Sequence, residues 1–192
     1  MMKKAFTLIE LMVVLSIIGV LLGITVQAVS GQFRKSREQK ASALCAIVHQ
    51  GIETYRAQKD RWPGSVGDRI AGGDVLSRGN DEGFDNTSDY NKYVLESSEV
   101  RDMVKTVVRE AVNNGNPMMD ISALYVSSSP GENHDRGYGL DFMDAVRGTE
   151  RHPQKMSVDQ MYFGYPDPST GYFRRFKIVY SVPTDSMEVM RQ

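Results

Sequence analysis

An apolar run near the start, broken by one acid, constrains this chain more than any other feature. From Phe6 to Val29 the sequence has 24 residues and one charge, Glu10; within it, Leu11 to Val26 is polar only at Ser16 and Thr25. As a helix the run would reach roughly 36 Å at about 1.5 Å per residue, enough to cross a bilayer core of about 30 Å. Lys3 and Lys4 are the only basic residues ahead of it. Positive charge is retained on the cytoplasmic side of a membrane, so the rest of the chain is expected outside it.

Three readings compete for this segment. Val26-Gln27-Ala28 loosely resembles a small-x-small cleavage site, as a secretory signal would have. A one-pass anchor needs only the length. The third reading turns on Glu10, because a carboxylate in an apolar run costs about 2.5–3.5 kcal/mol on insertion scales and is rarely idle there. A buried cation offsets that cost most simply. If the chain were cut before Phe6, the new α-amine would lie one helical turn from Glu10, and a neighbouring subunit's amine would be in reach of it. A plain signal peptide has no use for the acid.

Lys3-Lys4-Ala5-Phe6-Thr7-Leu8-Ile9-Glu10-Leu11-Met12-Val13-Val14 resembles the leader and mature start of type IV pilins and of the pseudopilins of type II secretion. The resemblance is close from Lys3 to about Gly23 and weak beyond. It implies cleavage by a membrane prepilin peptidase between Ala5 and Phe6, methylation of Phe6, and Glu10 as the carboxylate that governs docking into a filament. The family usually has Gly at the position of Ala5, and many relatives have Pro at that of Gln27. Without that Pro, local opening of the helix falls to Gly19 and Gly23, each weakening helix by about 1 kcal/mol.

Beyond Ser30-Gly31 the composition turns polar while a helical pattern continues. Ala41, Leu44, Cys45, Val48, Ile52 and Tyr55 recur at spacings of three and four and draw one apolar stripe. Trp62-Pro63-Gly64 is the stop. One helix from about Phe6 to Lys59 would be roughly 80 Å long; two helices broken near Gly31 are the alternative. Arg34, Lys35, Arg37 and Lys40 read as a solvated face, with a lipid-binding patch or pairing to a neighbour's acids as the sharper readings.

Residues 61–96, rich in Gly, Asp, Asn and Ser, read as a connection. Asp85, Thr87, Asp89, Asn91 and Glu96 fall at positions 1, 3, 5, 7 and 12 of a calcium-loop register. Tyr90 stands where the sharp turn wants Gly, which argues against an EF-hand. A looser calcium site from Asp81, Asp85 and Asp89 is the alternative to a solvated acidic loop. Ser97-Ser98-Glu99 then opens a second helix whose stripe runs Val100, Met103, Val104, Val107, Val108, Ala111 and Val112, ending at Asn113-Asn114-Gly115. Strands are expected over Ile121–Ser127, Val158–Tyr165 and Tyr172–Val182, the last two forming a hairpin. Tyr162, Phe163, Tyr165, Tyr172 and Phe173 read as sheet core and rim, or more sharply as a contact surface. Segment 128–155 has no regular pattern.

Little points to catalysis. His49 lies on the long helix, while His134 and His152 sit in loop sequence with no fixed metal-ligand spacing to Asp141 or Asp144. Ser127-Ser128-Ser129 lacks a nucleophile elbow, and no phosphate-binding glycine loop is present. Cys45 is the single cysteine, so an internal disulfide and a multi-cysteine metal site are excluded. With 23 basic against 24 acidic residues, the chain lacks the basic excess of a general nucleic-acid binder.

The expected fold class is α+β: a long N-terminal transmembrane and stalk helix packed on a small head with an antiparallel sheet and a second helix. The expected division is a leader at 1–5, a membrane and filament-core half at 6–29, an amphipathic half at 30–60 and a head at 61–192. The resemblance implies a structural role, not an enzyme, with no cofactor apart from the calcium alternative. Its implied partners are other pilin-like subunits including copies of itself, the prepilin peptidase and an inner-membrane assembly platform. Its implied location is single-pass in the inner membrane with a periplasmic head. A type II secretion pseudopilin fits best, since a disulfide-closed C-terminal loop is missing; a major or minor type IV pilin is the nearest alternative. From another class, a tethered or secreted binding module remains open.

Overall fold

One unbroken helix organises the molecule. In the computed structural model, which describes residues 8–73, 92–114, 118–128, 139–150 and 153–191 (24–29 and 114 by their backbone alone), helix α1 runs Leu8–Lys59 over 52 residues. No proline interrupts it, and it passes Gly31 without a break. The single-helix expectation therefore holds over these residues. Asp60 ends it in the left-handed region (φ 54°), its N–H donating to the Arg56 carbonyl at 2.8 Å. Pro63 then forbids continuation.

The stripe expected on the second half of α1 is buried: Ala41, Leu44, Val48 and Ile52 are at most 1% exposed, with Cys45 and Tyr55 beside them. It packs across the sheet and against α3 (Ser97–Asn114). There Val100, Met103, Val104, Val107, Val108 and Ala111 form the facing stripe, while Val112 is exposed. The cap of α3 falls within the expected Ser97-Ser98-Glu99, on its acid. Its donor is satisfied by Glu99, whose carboxylate reaches back to the Glu96 N–H at 2.8 Å, as the third-position acid of a capping box does. Glu99 is itself buried, accepting from the Tyr93 hydroxyl at 2.9 Å and pairing with Arg69.

All strand pairs are antiparallel, in the order β1 (Lys92–Val94), β5 (Phe173–Ser181), β4 (Tyr162–Pro166), β2 (Tyr125–Ser127) and β3 (Leu140–Asp141), with β6 (Ser186–Arg191) also on β5. The expected β4–β5 hairpin is present, closed by Asp167. Its carboxylate accepts from the N–H groups of Ser169 and Thr170 at 2.8 Å each, and Gly171 adopts φ 77°.

Several elements depart from the sequence reading. Residues 64–71, expected as connection, form helix α2 (Gly64–Ala71), pressed so close to the Trp62 carbonyl that a side chain at Gly67 would stand 1.9 Å from it. Val66 lies buried on the same helix. Val158–Gln160 is a 3-10 turn ahead of β4, and Ile121–Ala123 another ahead of β2, so both strands are shorter than expected. Part of 128–155 is regular after all, as β3 and the short helix α4 (Phe142–Arg147). The result is the α+β, pilin-like arrangement of a long helix carrying a helix-and-sheet head.

Candidate assembly surface

Among the described side chains, those of the first half of α1 touch none of this core. From Leu8 to Leu22, twelve large apolar side chains lie exposed on every face of the helix, between 45% for Ile18 and 76% for Leu8. A helix apolar all round requires lipid or protein about it. Burying each such side chain is worth about 1.5–3 kcal/mol, so the segment carries a drive on the order of 20 kcal/mol toward membrane or neighbours. Ser16, the polar residue in the middle, donates its hydroxyl to the Met12 carbonyl at 2.8 Å, so the surroundings need not solvate it.

Glu10 stands exposed in the first turn of α1, where the helix dipole favours a carboxylate. Gly19 and Gly23 lie on the same exposed half, and a side chain at either would meet nothing within 4 Å. Packing within the subunit therefore does not require glycine there. What the missing side chains leave is open space on that face of the helix. Ala5 and Phe6 lie outside the described residues, as do the calcium candidates Asp81, Asp85 and Asp89. Among the described residues no helix is long and apolar enough to cross a membrane; the described side chains of the run stop at Gly23. In the sequence the uncharged run goes on to Val29.

The other half of α1 is clamped to the head by polar contacts that sequence reasoning missed. Asp185, at the β5–β6 turn, accepts from Trp62 Nε1 at 3.0 Å, from the Tyr180 hydroxyl at 2.9 Å and from Arg56, whose guanidinium also lies 4.2 Å from the Trp62 ring. Burial, and then the Asp185 carboxylate it donates to, push the Tyr180 pKa up to about 12. Lower on α1, Lys40 pairs with Asp141 of β3 at 2.7 Å, and the Arg37 guanidinium lies against Gly171. Both residues were read as part of a solvated basic face; the head engages them instead. The contacts of Arg37, Lys40, Arg56 and Trp62 with the head each span more than a hundred positions, and no local pattern announces them.

Among the described residues, reactive chemistry does not assemble. Cys45 is buried in the stripe, and burial raises its thiol pKa, leaving it a poor nucleophile. A ring nitrogen of His49 lies 3.0 Å from the Met187 carbonyl. His134 and His152 lie outside the described residues. Among the described residues no three of His, Cys, Asp or Glu are grouped to hold a metal ion.

Comparison with curated proteins and with solved structures gives no match. Residues 1–26 match the prokaryotic N-terminal methylation motif, the prepilin-type cleavage and methylation signal. That signal ends on the exposed apolar half of α1, so the chain carries the N-terminal hallmark of the type IV pilin-like proteins.

Proposed function

We propose that this chain is a structural subunit of a type II secretion pseudopilus, held in the inner membrane by its first helix with the head in the periplasm, and supporting protein export from the filament. The observation that carries this is a single helix whose first half is apolar on every face and bears one acid near its start. The prepilin peptidase removes residues 1–5 and methylates Phe6. The new cation then lies one turn from Glu10, so a neighbour's amine and this carboxylate fix the register as subunits bundle residues 6–29. Head-to-tail contacts whose rotation does not close extend the bundle into a helical filament, with other pilin-like subunits joining it and an inner-membrane platform driving the addition. Residues 30–60 and 61–192 form the stalk's packed half and the head.

Choice of a pseudopilin over a major or minor type IV pilin is supported by the lone, buried Cys45, which leaves no disulfide to close a C-terminal loop. Localisation of the assembled filament tests that choice: fibres on the cell surface would favour the pilin. The broader reading is tested by the N-terminal residue of protein purified from membranes. Methyl-Phe6 is expected. Met1 would mean a simple anchor and Val29 a secreted binding module, and either result would remove assembly from the account. Glu10→Ala is expected to leave the head folded and to reduce incorporation into filaments; normal incorporation would take Glu10 out of the mechanism.

A further inference from the structure

Four cations follow the apolar run, Arg34, Lys35, Arg37 and Lys40, against Lys3 and Lys4 before it, so the usual charge bias across a membrane does not account for the four. The structure divides them. Lys40 is held by Asp141 and lies 5.1 Å from the Tyr125 ring, and Arg37 is half-buried against Gly171. Arg191, at the end of β6, lies 3.6 Å from Glu38. Three parts of the head, the β4–β5 turn, β3 and the end of β6, thus come down onto α1 at residues 37–40, and none of these contacts lies nearer the apolar run.

Arg34 and Lys35 are different. Both are exposed, and among the described residues neither takes an ion pair within the chain. Phe33 beside them is 60% exposed, an aromatic side chain that the head does not cover. The helix is continuous here, so Phe33 to Lys35 lie roughly 6–9 Å of rise beyond Val29. The polar layer of a bilayer occupies about 5–7 Å on each side of its core, so Phe33 falls within it and the long Arg34 and Lys35 side chains reach back into it. An aromatic ring followed by two cations at that depth is the composition that anchors a helix among headgroups.

We propose that Phe33, Arg34 and Lys35 form a collar that seats the unassembled subunit on anionic phospholipid headgroups, with the head's lower end at Arg37, Gly171 and Arg191 just above it. This rests on the membrane placement in the proposed function. The collar sets how deep the helix sits and selects acidic lipid around the subunit until it is drawn into the filament.

The test reconstitutes the full chain in phosphatidylcholine vesicles and measures the relative association of spin-labelled phosphatidylglycerol and phosphatidylcholine with the protein. Phosphatidylglycerol is expected to be preferred, by up to roughly thirtyfold for two basic residues, and less so as salt rises. Lys3→Gln with Lys4→Gln is expected to retain the preference, and adding Arg34→Gln with Lys35→Gln in that background to abolish it. Equal association of the two lipids with the native chain overturns the collar, as does a preference that survives the Arg34 and Lys35 changes. Loss of cross-linking between neighbouring subunits in that fourfold variant, with lipid preference intact, overturns it in favour of a second copy's acids. Extraction of the chain by alkaline carbonate would overturn the membrane placement itself, which a retained chain with no lipid preference does not.

Discussion

The two halves of α1 are made of one continuous backbone and solve opposite problems. Leu8 to Gly23 is apolar on all sides and buries none of it within the subunit; Ala41 to Tyr55 is apolar on one stripe and buries all of it. The difference lies in period: a stripe at three and four matches a single packed surface, whereas apolarity all round matches an environment that surrounds the helix. One helix thereby serves as the core element of a head and as the contact element of something larger. Its stability in the first half is not a property of the lone subunit.

The comparison predicts its own largest effect. Ile52→Ala removes a side chain with no exposure from the shared core and is expected to cost about 3 kcal/mol of head stability. Leu15→Ala, 59% exposed, is expected to change the unassembled subunit by less than about 0.5 kcal/mol. Trp62 is the sole tryptophan and is buried, so its fluorescence during denaturant unfolding reports both. Equal losses would mean that the two halves do not divide the labour this way.

A smaller effect follows from the clamp that joins the second half to the head. Asp185 sits at φ 42°, which Asn tolerates well, so Asp185→Asn keeps the turn and removes the charge opposite Arg56. The expected loss is roughly 1–2 kcal/mol. Alkali tests the same place. The Tyr180 pKa is raised above its ordinary 10.0 to about 12, first by burial and then by Asp185, so the folded state favours the neutral phenol. Its contribution is whole below about pH 10 and is lost as pH rises through about 12. Tyrosinate absorbance and Trp62 fluorescence should therefore change together in that window in the native chain, and at lower pH in Asp185→Asn. Ionisation of Tyr180 itself near pH 10 without unfolding, identified by its loss in Tyr180→Phe, would show that the clamp contributes nothing.

How much of this was legible depended on range. Both long helices, their stripes and the β4–β5 hairpin follow from residues a few positions apart, whose spacing is set by helix and strand geometry. Helix α2 was missed because Gly64 and Gly67 read as loop, although Gly67 is there to let the helix touch the Trp62 carbonyl. β6 was missed because Ser186, Glu188 and Arg191 dilute its apolar residues; only pairing along β5 gives it a partner. Asp185 carried no signal at all, since its importance comes from Arg56 on α1, Trp62 in the α1–α2 connection and Tyr180 on β5 meeting it in space. Of the site residues, Glu10 stood out because its chemistry is wrong for its surroundings, a contrast visible in one dimension.

Gly19 and Gly23 give the smallest effect on the lone subunit and the sharpest test of the first half's purpose. Open space around each means that Ala at both positions meets no clash. By helix propensity alone the change gains about 1 kcal/mol of helix stability at each site. Head unfolding, reported by Trp62, should be unchanged, because neither glycine contributes to the core. If the proposed filament forms, incorporation should nevertheless fall, for two separable reasons: Ala would remove local helix weakness, and it would add a methyl where a neighbouring helix would pack. Gly19→Ser discriminates between them, since Ser is nearly as bulky as Ala or slightly more so but is a poorer helix former. Recovery of incorporation with Ser relative to Ala points to flexibility, and equal loss points to close packing. If all three variants assembled like the native chain, the glycines would be mere filler in an apolar run, and the first half would need nothing beyond hydrophobicity and Glu10.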